Sequence, residues 1–479
     1  MTTPLQDDLH AMLGERGALS DPRSLSTFSK DAYYYSPVLR ELLGGKLADA
    51  VAAPASVAEL QEVVRYACER DIPLTMRGSG TGNYGQCVPL HGGIVVSTHR
   101  LNTIASLDEA AGVVRAEPGV RLGQIERQAR PLGWELRCYP STWATAALGG
   151  FVGGGFGGVG SVRNGVLWDG FLKSITVMEV TPEAALHTLT GDGLMGFIHA
   201  YGTSGIMVEL EVNLAPAVPW EEAAISFPTL EAALRFGCDL ARDEQEDKRL
   251  VSLHEWPIPS FFGPLEAAGG VADGRALALL ELREGRTQAA LERARGYGGE
   301  LTYSAPASAY HAGKFCLSDF TWNHTTLWAM RNDEGWTYLQ SNLSGDIGEA
   351  LGQMEALRAY HGQKQGGGSR VAFHLEIGRQ APGSAEERLF ISALDLIYIQ
   401  DGPGIAAAVA ERERLGVSVA DPHSYFLDSD PRWSGQPVLD ARARFNPAGL
   451  LNPGKLSKVV TEAEQDPREP ASSLPQQTG

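Results

Sequence analysis

Three stretches of the chain hold residues whose types and spacing can do chemistry. The first is Arg77-Gly78-Ser79-Gly80-Thr81-Gly82-Asn83-Tyr84-Gly85, four glycines interleaved with small polar residues just after the apolar run Ile72–Met76. Glycine reaches left-handed torsions, so successive N–H groups can turn toward one concave point. Such a nest binds an anion, typically a phosphate, and Ser79, Thr81 and Asn83 add side-chain donors. Taken alone, the run reads equally well as a tight surface loop. The second stretch, Gly149 to Gly165, contains nine glycines interspersed with Phe and Val. That density suits backbone lying close along a flat or extended ligand, and the large apolar residues argue against a flexible linker. The third is Arg370 to Ile377. Read as a strand, it sets Arg370, His374 and Glu376 on one face and Val371, Phe373, Leu375 and Ile377 on the other. A His and a Glu two apart can form a base and its orienting partner; the competing reading is a solvated outer face.

The elements around the first stretch exclude two familiar phosphate sites. A P-loop needs Lys-Ser/Thr after its last glycine, and a dinucleotide fingerprint needs a helix opening at the loop. Here Gln86–Gly93 reads as further loop, followed by a strand at Gly93–Ser97. Upstream lies a strand–helix–strand unit: strand Asp49–Ala52, then a helix from Ser56 with a Ser56/Glu59 capping box. Its apolar face is Leu60, Val63, Val64, Ala67 and Cys68. The glycine loop therefore leaves the end of a strand, where α/β sheets bind ligands. A strand at Gly112–Ala116, a helix at Leu122–Leu132, and strands at Ser174–Val180 and Met207–Leu214 follow, with a boundary at Pro216 and Pro219. The aromatic triplet Tyr33–Tyr35 reads as packing.

Residues 220–415 repeat a β-α-β grammar twice, which predicts an α+β domain with a mostly antiparallel sheet, a duplicated ferredoxin-like unit. Within it, strands are expected near Thr325–Met330 and Trp336–Gln340, and a flexible run at Gly366–Gly368. The resulting division is 1–215, 216–415, a returning segment at 416–460 and a disordered tail at 461–479.

At 479 residues, two domains are the starting expectation. The formal charge of −18 opposes nucleic-acid or anionic-membrane partners. No apolar run reaches the roughly 18 residues of a membrane helix, and Met1–Gln6 lacks the basic and apolar segments of a secretory signal. Five scattered cysteines without CxxC spacing fit reduced thiols in a cytoplasmic protein and argue against a zinc site. No metal is expected.

The combination resembles the vanillyl-alcohol oxidase family of flavoproteins, whose FAD-binding fold is shared with p-cresol methylhydroxylase. The features, in order, are Pro54 with its helix; Arg77 to Thr81; Pro140 to Gly150 with the glycine run to Asp169; Gly202-Thr203-Ser204-Gly205-Ile206; and Asn446-Pro447 with Leu451-Asn452-Pro453-Gly454-Lys455-Leu456. The resemblance covers roughly 30–215 and 435–457, a two-subdomain FAD module, with the middle domain as substrate cap. It implies that amides of Gly78 to Asn83, Gly82 included, hold the FAD pyrophosphate beside Arg77. Pro140, Ser141, Thr142, Gly149, Gly150, Gly154 and Gly157 would line the cofactor's path, Ile206 its adenine side, and Asn452 and Lys455 would close over the flavin ring. Relatives with flavin tethered through this loop carry His where this chain has Thr81, so non-covalent FAD is expected.

In such proteins a base accepts a hydroxyl proton as hydride leaves for the flavin. The resemblance thus implies an oxidase or dehydrogenase acting on a small alcohol or 2-hydroxy-acid-like substrate. The catalytic expectation is His374, supported by Glu376 or Arg370, on the cap face over the flavin. Tyr398 and Arg331 come next, and Asn323, His324, His254 and His423 are further candidates. The signature of sugar-lactone oxidases and the His-x-His of metal-containing 2-hydroxy-acid dehydrogenases are both absent. An NADPH-dependent reductase on the same module and a catalytically inactive flavin-binding protein are the alternatives. The electron acceptor, whether oxygen, a quinone or an electron-transfer protein, stays open.

Overall fold

Strands Ala50–Ala52 and Leu74–Arg77 flank Ile94–Ser97 in parallel, and Ala18–Leu19 adds an antiparallel edge. This first sheet is seen in a computed structural model that describes residues 3–32, 36–307, 315–364 and 370–457. Tyr33–Tyr35, Gly366–Gly368 and the tail from 461 lie outside the described residues. Helix Val57–Glu69 links the first two strands, with Ser56 Oγ accepting from Glu59 N at 3.1 Å. The Glu59 carboxylate accepts from Ala55 N at 2.7 Å, so the capping box is shifted back by one residue. Leu60, Val63, Val64 and Ala67 are fully buried. At about 1.5–3 kcal/mol for each buried Leu or Val, this face fixes the helix on the sheet. Cys68 is half-buried at its margin.

The second sheet is antiparallel, in the order Ile104–Asp108, Val113–Ala116, Ile206–Pro216, Leu172–Met178, Leu186–Thr190, with Trp134–Leu136 also pairing Ile206–Pro216. Between Trp134–Leu136 and Leu172–Met178 lies the second glycine cluster. Part of it is helical, Leu148–Gly154.

The third sheet has nine antiparallel strands. Strands Trp220–Phe227, Lys248–His254, Ala276–Arg283 and Glu300–Pro306, with helices Leu230–Arg242 and Thr287–Arg295, form one β-α-β-β-α-β half, ordered fourth-first-third-second. Strands Thr337–Leu343, His374–Gln380, Arg388–Ile397 and Ser418–Ala420, with helices Ile347–Lys364 and Gly402–Arg414, form the other, ordered second-third-first-fourth. The halves meet where Ser252, Leu253 and His254 pair with Glu376, Leu375 and His374. The short strand Val371–Ala372 pairs with Arg388–Ile397. The last strand lies past residue 415, so this sheet extends beyond the expected boundary.

The expected strand at Thr325–Met330 is a helix, Asn323–Asn332. Its β-branched and aromatic residues favour strands, but Thr325, Thr326 and Ala329 fall on one buried helical face. That face lies against strands Thr337–Leu343 and Arg388–Ile397. The chain then returns to the first sheet: Leu74 N donates to Leu450 O at 2.8 Å and Asn452 N to Leu74 O at 2.6 Å. Among the described residues no helix is long and apolar enough to cross a membrane.

Candidate active site

A cleft opens where the glycine-rich loops face the third sheet. Arg77–Asn83, Pro140–Thr142, Gly149, Gly150, Gly154 and Gly157 line it from one side, and Trp322, Asn323, His324 and Gln340 from the other. Its empty space is about 1560 Å³ with the open mouth included. The two glycine clusters touch in its wall. A Cβ on Gly78 would stand 3.3 Å from Gly150 Cα and 3.2 Å from Ala147 Cβ. Among the described residues, neither the N–H groups of residues 79–84 nor the hydroxyls of Ser79 and Thr81 donate a hydrogen bond within the protein. The Arg77 guanidinium is engaged beneath the loop: its Nη1 donates to Lys30 O at 2.6 Å and Cys87 Sγ at 2.9 Å. Gly80 has φ +66°, and a Cβ there would run into the Arg77 guanidinium. This glycine is needed for what lies beneath the loop.

Lys455 and Asn452 hold the loop from behind and do not line the cleft, which corrects the expectation that they close over the ligand. Lys455 Nζ donates to Gly85 O at 2.5 Å, and Asn452 Nδ2 donates to Gln86 O at 2.9 Å and Tyr201 O at 2.5 Å. Burial draws the Lys455 ammonium down to about 8, against the pull of Asp31. Asp31 accepts from Gly85 N at 2.5 Å and from Cys87 Sγ at 2.9 Å. Ile206 is likewise a core residue, 1% exposed, and its neighbours Gly205 and Met207 line the cleft instead.

The loop tip is tied to the opposite wall. Asn83 Nδ2 donates to Tyr338 Oη and Tyr84 Oη donates to Gln340 Oε1, both at 2.5 Å. Beside them Trp322 has φ +52°, a conformation costing about 1–3 kcal/mol for such a residue. Its N–H donates to Glu376 Oε1 at 2.7 Å, while its indole Nε1, buried, has no partner among the described residues. Helix Asn323–Asn332 starts at the next residue and brings Asn323 and His324 to the cleft. Burial lowers the His324 pKa below its ordinary value, so its ring is neutral at neutral pH.

His374 and Glu376 share a face, but that face does not look into the cleft. Helix Asn323–Asn332 covers it, and Thr325 Oγ1 lies 3.5 Å from His374 Nε2. Glu376 Oε1 lies 2.8 Å from His374 Nε2 and accepts from Ser252 Oγ at 2.9 Å. His254 stacks on His374 at 4.5 Å. Burial pushes Glu376 up to about 8 and His374 down to about 3. His374 is thus corrected from a residue over the ligand to one sealed behind the wall. Arg370 lies over the Tyr398 ring at 5.9 Å, Tyr398 Oη reaches Asp333 at 3.3 Å, and Arg331 is exposed over Trp328. None of the three lines the cleft.

Sequence reasoning missed Arg432. It lines the cleft from the segment after the last strand of the third sheet, pairing through Nε with Asp430 Oδ1 at 2.8 Å and through Nη2 with Asp430 Oδ2 at 2.5 Å. Asp430 Oδ2 also lies 3.1 Å from His199 Nε2, and His199 Nδ1 lies 2.8 Å from Gly155 O. Burial would raise the Asp430 carboxyl, yet Arg432 and His199 hold it far below the usual carboxylate range. The only signal in the sequence was an Asp and an Arg two apart in an unremarked loop.

The donor set and the cleft fit FAD: unengaged amides and hydroxyls at one point for a pyrophosphate, and thin glycine backbone along the wall for a flat ring. Residues 48–182 match the family described as FAD binding domain. The chain is 30% identical over 226 residues to a D-lactate dehydrogenase of Archaeoglobus fulgidus, covering 43% of this chain and 49% of the relative. It is 28% identical over 225 residues to a D-2-hydroxyglutarate dehydrogenase of Stutzerimonas stutzeri, covering 45% and 46%. These matches span about half the length of the relatives. Among solved structures, an alkyldihydroxyacetonephosphate synthase superposes with a TM-score of 0.71 at 16% identity, over 95% of this chain and 86% of that one, which shows a shared fold. Residues 48–182 thus form an FAD-binding domain, the cofactor is FAD, and the chain is similar over part of its length to FAD-linked oxidoreductases.

Proposed function

We propose that the protein is an FAD-dependent oxidoreductase that oxidises a small alcohol or 2-hydroxy acid. The carrying observation is the set of unengaged donors at residues 79–84 in a cleft whose opposite wall brings up a half-buried, neutral histidine. The names of the relatives, dehydrogenases of D-lactate and D-2-hydroxyglutarate, support the substrate class. Amides of residues 79–83 with Ser79 and Thr81 hold the pyrophosphate, and the glycine backbone at 149–157 leaves room for the ring. FAD, once bound, supplies the two-electron acceptor. His324 takes the hydroxyl proton on its neutral ring. Glu376 and His374 are positioning residues that hold Trp322, and with it Asn323 and His324, at the wall. Thr81 leaves the cofactor non-covalent. We take residues 1–215 as the FAD-binding domain and the third sheet as a duplicated ferredoxin-like cap.

The test is anaerobic bleaching of the yellow protein with D-lactate, D-2-hydroxyglutarate and neutral alcohols. Bleaching by at least one supports the reading. Bleaching by NADPH alone would replace it with a reductase, and no bleaching by any would reject it.

A further inference from the structure

A second cavity shares a stretch of chain with the cleft: Pro140–Thr142 line the cleft, and their neighbours Tyr139 and Trp143 line the cavity. It holds about 810 Å³ with the open mouth included, and Glu222, Arg249 and Glu281 of the third sheet line its other side. The oxidation proposed above uses none of these residues. Glu222 and Glu281 stand opposite each other on strands Trp220–Phe227 and Ala276–Arg283, so both carboxylates leave the sheet on one face. They are 1% and 2% exposed. Glu222 Oε1 accepts from Leu317 N at 2.7 Å, and Glu281 Oε2 from Arg249 Nε. Among the described residues, Glu222 Oε2, Glu281 Oε1 and the hydroxyl of Tyr139, itself 4% exposed, make no hydrogen bond within the protein. The charges do not balance either. Arg130, Arg163 and Arg249 pair with Glu126, Glu135 and Glu281, and no cation among the described residues pairs with Glu222. Arg127, which also lines the cavity, is exposed to solvent. Burial and the Glu281 charge accordingly raise the Glu222 carboxyl above its ordinary range. The cavity thus offers buried acceptors and lacks a positive charge. An ammonium supplies that charge together with three N–H donors. The Tyr139 and Trp143 rings, 5.6 Å apart, add π faces that attract a cation. A metal ion fits less well, since among the described residues no three His, Cys, Asp or Glu side chains gather as ligands.

We propose that this cavity binds the primary ammonium group of a small organic amine, held by Glu222, Glu281 and Tyr139, as an effector of the neighbouring FAD site. The link between the two is short, because Tyr139 and Trp143 bracket the three residues that line the cleft. The FAD-loaded protein is titrated with butylammonium, tetramethylammonium, potassium and butanol, with binding read by calorimetry and the flavin by its absorbance. Neither readout depends on which substrate reduces the flavin. Butylammonium should bind and shift the flavin spectrum. Tetramethylammonium, which has no N–H, and butanol, which has no charge, should bind at least about 10-fold more weakly. Glu222→Gln keeps an acceptor for Leu317 N and should weaken butylammonium about 10–100-fold, through loss of a charge-assisted hydrogen bond. Tyr139→Phe keeps the ring and should weaken it about 5-fold. Absence of butylammonium binding, equal binding of butanol or tetramethylammonium, or an affinity unchanged in either variant would overturn the proposal, the last because the amine would then sit elsewhere. Potassium displacing butylammonium at matching concentrations would overturn the ligand class in favour of an inorganic cation. Binding with a silent flavin would overturn the effector role.

Discussion

Glu376→Ala should dismantle the cap wall of the cleft from behind. Glu376 Oε1 accepts from Trp322 N at 2.7 Å and Ser252 Oγ at 2.9 Å and lies 2.8 Å from His374 Nε2, all in a fully buried setting. Alanine leaves the Trp322 N–H without its acceptor at about 1–3 kcal/mol, and Ser252 and His374 lose a partner as well. Relaxation of Trp322 from φ +52° returns part of its roughly 1–3 kcal/mol of strain. The net expectation is a loss of about 2–4 kcal/mol. For a domain of 150–250 residues that lowers Tm by about 4–16 °C. Because the relaxing residue directly precedes Asn323 and His324, flavin reduction by substrate should slow by about 10²-fold, the usual penalty of an ångström-scale misplacement. Glu376→Gln keeps an acceptor for Trp322 N and should cost far less on both counts. The assays are thermal unfolding of the FAD-loaded protein and stopped-flow anaerobic reduction. An alanine variant that melts and reduces like wild type would refute the idea that Glu376 holds this wall.

Gly80→Val should abolish FAD content, since φ +66° is hostile to a β-branched residue and its Cβ meets the Arg77 guanidinium; a folded variant with full flavin would contradict this. His324→Gln should slow flavin reduction by about 10²–10⁴-fold. In wild type the rate should fall as pH drops through a pKa below the ordinary histidine value, because burial favours the neutral ring, and this acid limb should vanish in the variant. Acid precipitation should release FAD intact into the supernatant, and flavin that remains with the protein pellet would show a covalent tether.

What could be read in the sequence was what local chemistry demands. The Arg77–Gly85 loop and the Gly149–Gly157 run announce themselves by their glycine density, with Gly80 and Gly85 at positive φ and Gly149 and Gly155 too close to Pro118 and Phe151 for a Cβ, and the alternation at 370–377 did place His374 and Glu376 together. What covers that face was not legible. Thr325 and its neighbours favour strands in isolation, and only packing on the third sheet makes them a helix, which seals His374 away and brings His324 forward. Trp322 and Arg432 reach the cleft from segments with no spacing relation to the glycine loops, so no pattern along the chain could have paired them.

The ties that complete the glycine loop also set a timetable. Asn83 and Tyr84 bond residues 255 and 256 positions further along, and Asn452 reaches back 366 positions to Gln86. During synthesis at about 5–20 residues per second, roughly 20–70 s separate the appearance of Gln86 from that of its last support. Until then the loop has emerged without the groups that shape it. Cofactor capture therefore waits on Asn452, long after the loop itself has been made.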